Sequence, residues 1–379
     1  MCLGFSIFKL FKKTKTIFVL HINLNYLGIT QNLHLSLRNL NSLKMKKAAL
    51  FLSMLVCISF FATAQDPHFS QFFSSPLTLN PALTGKFDGT VRIAGNYRNQ
   101  WPAFNNVYTT STLSVDFDIL KDKLPDYDRW GIGILALTDQ AGSGVIKNNY
   151  LGISTSYHKS LDEDGFKQLG IGFQGTYGQK RLDRDKFKFE DQLTPFGFTG
   201  VTQETFDQNN LDVNYLDVNA GLLYSMSTDA SNNFYAGASM YHINRPSQSF
   251  MGANWNIATR TTISAGGYFP VSDILTLHTS GIYQYQNKAS ETVVGGALAA
   301  VIDKASQQPS NVYGGLWYRF NDAIIPYIGL EFSGMRIGAT YDINVSSLRA
   351  GSQSRGGMEI SIIYIKKPAG FKGIPCPKF

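Results

Sequence analysis

Residues able to do chemistry are sparse in this chain. Beyond residue 64 there are four histidines, His68, His158, His242 and His278, and none stands at metal-ligand spacing from another His or a Cys. Each reads as an ordinary polar residue of a wall or lumen. Gly142-Ser143-Gly144 lacks the flanks of a nucleophile elbow and falls in a turn. The acidic runs Asp162–Asp164 and Glu190-Asp191 lie in loop-like stretches, where solvation is the ordinary role. The pairs Gly131/Gly133 and Gly170/Gly172 lie inside strand-like runs, where they relieve crowding at a wall rather than cradle a phosphate. The expectation is no catalytic residue, no metal and no cofactor.

What remains for function is binding. Residues 179–212 form the longest connection, mixing Arg181, Arg184 and Lys186 with Asp183 and Asp185 before turning Gly/Thr-rich. They read either as a solvated external loop or as a partner-docking segment. Residues 65–89 are not strand-like: Phe69, Phe72 and Phe73 precede Pro76, and Asn80-Pro81-Ala82 precedes Gly85. Such a segment suits a plug inside a barrel or a pad beneath its mouth. Cys376 is the one cysteine beyond residue 64, so internal disulfides do not staple that region. The Pro-rich tail 367–379 that carries it reads either as a flexible end or as a docking peg or a thiol for an intermolecular bond.

The elements that must carry these residues are strands. Period-2 alternation recurs: Val107, Thr109, Ser111, Leu113, Val115 and Phe117 share one face, opposite Asn106, Tyr108, Thr110, Thr112, Ser114 and Asp116. About fourteen such segments are predicted, near 90–100, 106–118, 130–138, 147–158, 167–178, 213–226, 233–243, 259–269, 273–286, 291–302, 311–320, 323–332, 334–344 and 356–366. Their lengths suit strands tilted across an apolar band of ~25 Å. The second face carries Asn, Gln, Ser, Thr and charges such as Arg92, Asp217, Arg319 and Glu331. Lipid does not accept these, whereas a watered or plugged lumen does. An open sheet in lipid would leave unpaired backbone groups costing several kcal/mol each. The fold class predicted is therefore all-β, a transmembrane antiparallel β-barrel over 90–366 with a short N-terminal plug-like segment over 65–89. Tyr97, Trp101, Tyr150, Tyr157, Tyr268, Phe269, Tyr283, Tyr285, Trp317, Tyr318, Tyr341 and Tyr364 are expected to form its interfacial girdle. A secreted β-sandwich or propeller would bury such aromatics in a core, but calls for more charge and Pro at its edges.

Long connections fall after odd-numbered strands and most short ones after even-numbered strands, so both termini are expected in the periplasm. The formal charge of +7 gives no nucleic-acid signal. Residues 1–64 hold eight of the 34 basic residues and no acidic one, leaving 26 basic against 27 acidic beyond them. Met45-Lys46-Lys47, the apolar run 48–61 and Ala62-Thr63-Ala64 read as a signal peptide over 45–64, with 1–44 an upstream extension or a mis-assigned start.

Several stretches together resemble the PorP/SprF family of Bacteroidetes outer-membrane proteins. They are Gln65-Asp66-Pro67-His68-Phe69-Ser70-Gln71-Phe72, Ser75-Pro76-Leu77-Thr78-Leu79-Asn80-Pro81-Ala82-Leu83-Thr84-Gly85, Tyr97-Arg98-Asn99-Gln100-Trp101-Pro102 and Ile374-Pro375-Cys376-Pro377-Lys378-Phe379. The resemblance spans 65–379 and implies a barrel of the type IX secretion and gliding machinery without enzymatic activity. The partners it implies are outer-membrane lipid, periplasmic secretion components and a large secreted adhesin or other cargo. Asn80, Pro81, Trp101, Cys376, Pro377 and Phe379 become candidate partner-binding residues, and Arg181, Arg184 and Lys186 candidates on the external loop. The Asn80-Pro81-Ala82 turn is similar to the N-terminal hatch of fatty-acid-transporter barrels. A porin or hydrophobic-substrate transporter is the alternative.

Overall fold

Alternating Val, Ile, Thr and Tyr favour pleated backbone, because branched and aromatic side chains pack well on a two-faced sheet. In a computed structural model this alternation becomes fourteen long strands. They are β1 (Val91–Gln100), β2 (Tyr108–Ile119), β3 (Arg129–Ala141), β4 (Ile146–Ser160), β5 (Lys167–Leu182), β6 (Asp212–Ser227) and β7 (Asn233–Tyr241). There follow β8 (Arg260–Ser272), β9 (Leu275–Gln286), β10 (Ala289–Asp303), β11 (Ser310–Arg319), β12 (Ala323–Phe332), β13 (Met335–Asn344) and β14 (Arg355–Lys366). The structure describes residues 65–367 except 105–107, 121–122, 206–210, 229–231, 249, 251–254 and 304–309. Before residue 65 it describes only the strands Ser6–Leu10, Ile17–His21 and Leu35–Ser36, which form their own antiparallel sheet in a separate unit. The signal peptide expected over 45–64 and the tail 368–379 lie outside the described residues.

Each strand pairs antiparallel with the next, and β14 returns to β1 with Lys366 opposite Val91 and Gly357 opposite Gln100. The closed ladder leaves no free edge, as backbone in lipid demands. Because the strand number is even, the chain enters and leaves the barrel at one rim, called here the near rim. At the far rim lie the connections after odd strands, including 183–211, 242–259 and 345–354; the near rim carries turns such as 273–274 and 333–334. The near-rim connection 120–128 is longer than its neighbours there. No described helix is long and apolar enough to cross a membrane.

Burial inverts relative to a soluble protein. The outward face presents large apolar side chains, with Leu216 70%, Ile328 69% and Ile153 64% exposed, while Arg92, Asp116 and Glu359 face inward and are buried. The apolar face is the one that lipid solvates. The girdle needs a correction: Tyr97, Tyr157, Phe269, Tyr283, Tyr285, Tyr318, Tyr341 and Tyr364 are exposed on the outside, but Tyr268 and Trp317 are buried and Tyr150 is half-buried inside. Tyr268-Phe269 and Trp317-Tyr318 are adjacent pairs, so the pleat sends one ring to each face.

A charge placed on the outer wall tests this orientation. Ile153→Arg is expected to destabilise the barrel by about 2–4 kcal/mol, the cost of a cation at mid-bilayer. The readout is a lowered urea midpoint in reversible folding into vesicles.

Candidate functional site in the barrel lumen

Residues 66–89 run inside the barrel, almost wholly buried. Their local structure is compact but irregular: 3-10 turns at Phe72–Ser74 and Pro81–Leu83 flank the single helical turn α1 (Pro76–Leu79). Asn80 caps the second 3-10 turn, its Oδ1 accepting from the Ala82 N–H at 2.8 Å, and Pro81 takes the first helical position, where no N–H is needed. Such backbone pairs only part of its own groups, and the wall supplies partners for others. Glu359 on β14 accepts the Ser70 and Gln71 N–H groups at 2.8 and 3.0 Å. Ser239 and Tyr241 on β7 donate to the Leu79 and Leu77 carbonyls at 2.7 and 2.9 Å. The Asn80 amide donates to the Leu222 carbonyl of β6 at 3.0 Å.

Three charged clusters clamp this segment. In the first, Arg92 of β1 meets Asp116 of β2 through two bonds of 3.0 and 2.7 Å, with neither side chain exposed. The plug completes that pair: Arg92 donates to the Leu83 carbonyl at 2.8 Å, and Asp116 accepts the Gly85 N–H at 2.7 Å. In the second, Arg98 and Arg319 converge on Asp342 at 3.0 and 2.9 Å, and Ser70 hydrogen-bonds the same carboxylate at 2.8 Å. Beside it His68 reaches Glu291 at 2.9 Å. In the third, His242 lies between Asp66 (2.7 Å) and Asp217 (3.0 Å), and Arg260 stands 3.4 Å from Asp66. Burial alone would raise the Asp66 carboxyl, but the His242 and Arg260 cations override it and hold Asp66 well below the usual carboxylate range. Burial alone would lower His242; the carboxylates of Asp66 and Asp217 instead push it up to about 9.

Glycines make the seat. A Cβ at Gly221 would lie 1.9 Å from Asn80 Oδ1, and one at Gly172 would lie 2.3 Å from the Pro81 carbonyl carbon and the Ala82 nitrogen. Gly131 and Gly133 likewise meet Thr84, so both Gly-x-Gly pairs include positions where the wall must be bare for the plug. On the other side Phe73 stacks on Trp317 at 4.7 Å and meets Tyr327 edge-on, beside a cavity of about 40 Å³.

Asn80 and Pro81 are thus buried, and what they touch here is the barrel's own wall. Trp101 sits at the far rim with a left-handed φ of 54°, its N–H donating to the Gly356 carbonyl at 2.7 Å and its ring against Tyr108. Arg181, Arg184 and Lys186 are exposed at the same rim; Arg181 faces Asp212 at 3.5 Å and Lys186 donates to the Ser143 carbonyl at 3.0 Å. Cys376, Pro377 and Phe379 lie outside the described residues. Sequence reasoning missed Asp66, Ser70, Arg98, Arg260, Asp342 and Glu359 as one system. Asp66, Ser70 and Arg98 showed only as members of the family-like stretches, and the strand residues only as charge on an inward face. Among the described residues no group of His, Cys, Asp and Glu has metal-site geometry.

Two outcomes are expected. Gly221→Ala should destabilise the plug by about 1–3 kcal/mol through overpacking and speed protease cleavage within 65–89. Gly175→Ala, with nothing within 4 Å of the added carbon, should do neither. The second outcome concerns pH. A raised His242 contributes stability in full below its unfolded value of 6.5, lost as pH rises toward about 9. A depressed Asp66 contributes stability above its unfolded value of 3.8, lost as pH falls below it. Protease resistance of the plug should therefore be greatest from about pH 4 to 6.5 and decline toward pH 9. His242→Ala should abolish that alkaline decline.

The family model described as "Type IX secretion system membrane protein PorP/SprF" matches residues 61–364. No curated protein matches the chain. Similar solved structures include the Ralstonia pickettii toluene transporter TbuX, at 12% identity and TM-score 0.45, covering 78% of this chain and 93% of that one. A Pseudomonas aeruginosa FadL homologue matches at 11% identity and TM-score 0.39, over 75% of this chain and 92% of that one. CdiB from Acinetobacter baumannii matches at 8% identity and TM-score 0.42, over 73% and 60%.

Proposed function

This chain belongs to the PorP/SprF family of type IX secretion system membrane proteins, and from that premise we propose that it is a plugged outer-membrane barrel that supports secretion or surface anchoring of partner proteins. The family match across 61–364 carries the reading. The barrel acts without chemistry of its own, by binding periplasmic secretion components at the near rim and cargo at the far rim. Both ends of the barrel chain meet at the near rim, which suits a periplasmic face for the plug's entry and for the tail with Cys376, Pro377 and Phe379. The far rim carries the end of β5, with Arg181 on the strand and not on the loop, and the long connection with Arg184 and Lys186, in which Phe196 and Val201 are 91% and 90% exposed. Exposed apolar side chains on a long connection suit a protein partner.

The segment 66–89 seated in the lumen against β6, β7 and β14 supports this reading over a diffusion porin. Beside Phe73 the cavity of about 40 Å³ has room for a few ordered waters and not for a solute stream. Asn80 and Pro81 act in this reading by seating the plug, and not by direct partner contact.

Deleting the gene and taking a census of surface and secreted proteins tests the proposal. The expected result is loss of one or a few large cargo proteins, together with recovery of periplasmic secretion components when the crosslinked barrel is purified from detergent. Unchanged secretion with altered solute uptake would replace this reading with the transport one.

A further inference from the structure

The outer wall of β2–β5 can be followed row by row from the strand register. Leu113, Ala136, Leu151 and Tyr177 are successive cross-strand partners, all facing outward. The next row toward the far rim is Ser111, Thr138, Asn149 and Gln179. The row beyond it ends in Lys147 and Arg181, opposite each other on β4 and β5. Rows two residues apart are separated by about 7 Å along the strand. Within two rows the wall passes from apolar, through a hydrogen-bonding amide and hydroxyl band, to cationic.

This boundary is not smooth. Ala136 is the one small residue in its row, between Leu113 and Leu151, and the wall there carries an open groove of about 420 Å³. That volume lies in the range of ligand sites. Leu113, Leu151 and Tyr177 flank it with exposed apolar surface. Its upper edge is a set of interacting side chains: Thr138 Oγ1 donates to Asn149 Oδ1 at 2.9 Å, and the Asn149 amide donates to Gln179 at 3.5 Å. Above them Lys147 and Arg181 keep 37% and 53% of their side-chain surface. Each has one acidic neighbour within ion-pair reach, Asp183 at 3.4 Å from Lys147 and Asp212 at 3.5 Å from Arg181. Solvent-exposed pairs of this kind contribute little, so a phosphate can compete with both carboxylates for the two cations.

We propose that this groove binds an acylated, phosphate-bearing glycolipid of the outer leaflet. An acyl chain lies over Ala136 between Leu113, Leu151 and Tyr177. The sugar hydroxyls and amides meet Ser111, Thr138, Asn149 and Gln179, and a phosphate meets Lys147 and Arg181. The order of the rows selects this ligand, because it matches an amphiphile from tail to headgroup. A guanidinium and an ammonium side by side on rigid strands suit a phosphate ester. Choice of the outer leaflet rests on the far rim being external, as in the proposed function.

The test has two arms on the full-length barrel. In the first, Lys186→Cys in a Cys376→Ser background is treated in intact cells with a membrane-impermeant maleimide. Labelling supports an external far rim; absence of labelling overturns that orientation and the glycolipid with it. In the second, barrel in mixed micelles is given purified lipopolysaccharide or phosphatidylglycerol, and retained lipid is counted by native mass spectrometry. Wild type should retain lipopolysaccharide in preference to phosphatidylglycerol. Lys147→Ala with Arg181→Ala should cut retention roughly tenfold or more, the scale of losing a charge-assisted hydrogen bond. Ala136→Phe, which fills the groove and leaves the cations, should also reduce it. All variants should keep heat-modifiable gel migration, the sign of a folded barrel; a variant that loses it is replaced by Lys147→Gln with Arg181→Gln or by Ala136→Leu. Labelling in the first arm combined with equal retention by wild type and variants, or equal retention of the two lipids, would overturn the site while leaving the orientation standing.

Discussion

An irregular stretch of backbone inside a closed barrel must find a partner for every N–H and C=O that it does not pair within itself, and in a crowded lumen water supplies few of them. Much of the interior of this protein follows from that requirement. The plug over 66–89 has short turns with two prolines within them, and its internal backbone bonds leave many N–H and C=O groups to be met from outside. Glu359, Ser239, Tyr241, Arg92 and Asp116 therefore face inward because plug carbonyls and amides need them. The inward charges are then paired with one another, since a buried cation left alone would be far costlier than the same cation between a carboxylate and a carbonyl.

The same requirement divides the wall into two codes. Outward positions within the apolar band answer to lipid and accept any apolar side chain that fits the pleat. Inward positions answer to particular atoms of the plug, which is why a methyl group is excluded at Gly221 and Gly172 while Gly175, one of the outward positions, has open space around it. A barrel whose lumen merely held water would place no such demand on its glycines. The close fit also explains the small size of the cavity left beside Phe73, where the aromatic wall of Trp317 and Tyr327 takes up a plug ring.

Strand number, strand placement and closure were legible because period-2 alternation is local, and each of the fourteen segments carries it independently. The longest connection was legible from composition, and the inward polar face from its incompatibility with lipid. Phase was harder to read where both neighbours are aromatic: Tyr268-Phe269 and Trp317-Tyr318 offer no contrast between faces, and the inward member of each pair was assigned to the girdle. The ion clusters were beyond local reading. Asp66 and His242 are separated by 176 residues, and Ser70 and Asp342 by 272. Nothing in either neighbourhood announces the other, and only the closed register brings them together. Asn80 and Pro81 stood out as a capped turn, and such a turn looks the same in sequence whether it faces a partner or its own wall.

Closure between the first strand and the last has a consequence for biogenesis. The plug is the earliest part of the barrel chain to be made, yet the acceptor for its Gln71 N–H is Glu359, 288 residues later. Arg98 on β1 likewise waits for Asp342 on β13, 244 residues on. An exported chain therefore travels with the plug's partners still unmade, and gains them at the moment its wall becomes a cylinder. Truncation near the C-terminus would harm more than a seam: it would leave the opening segment of the polypeptide without its anchor, and quality control would meet an unseated plug and an unzipped wall as a single defect.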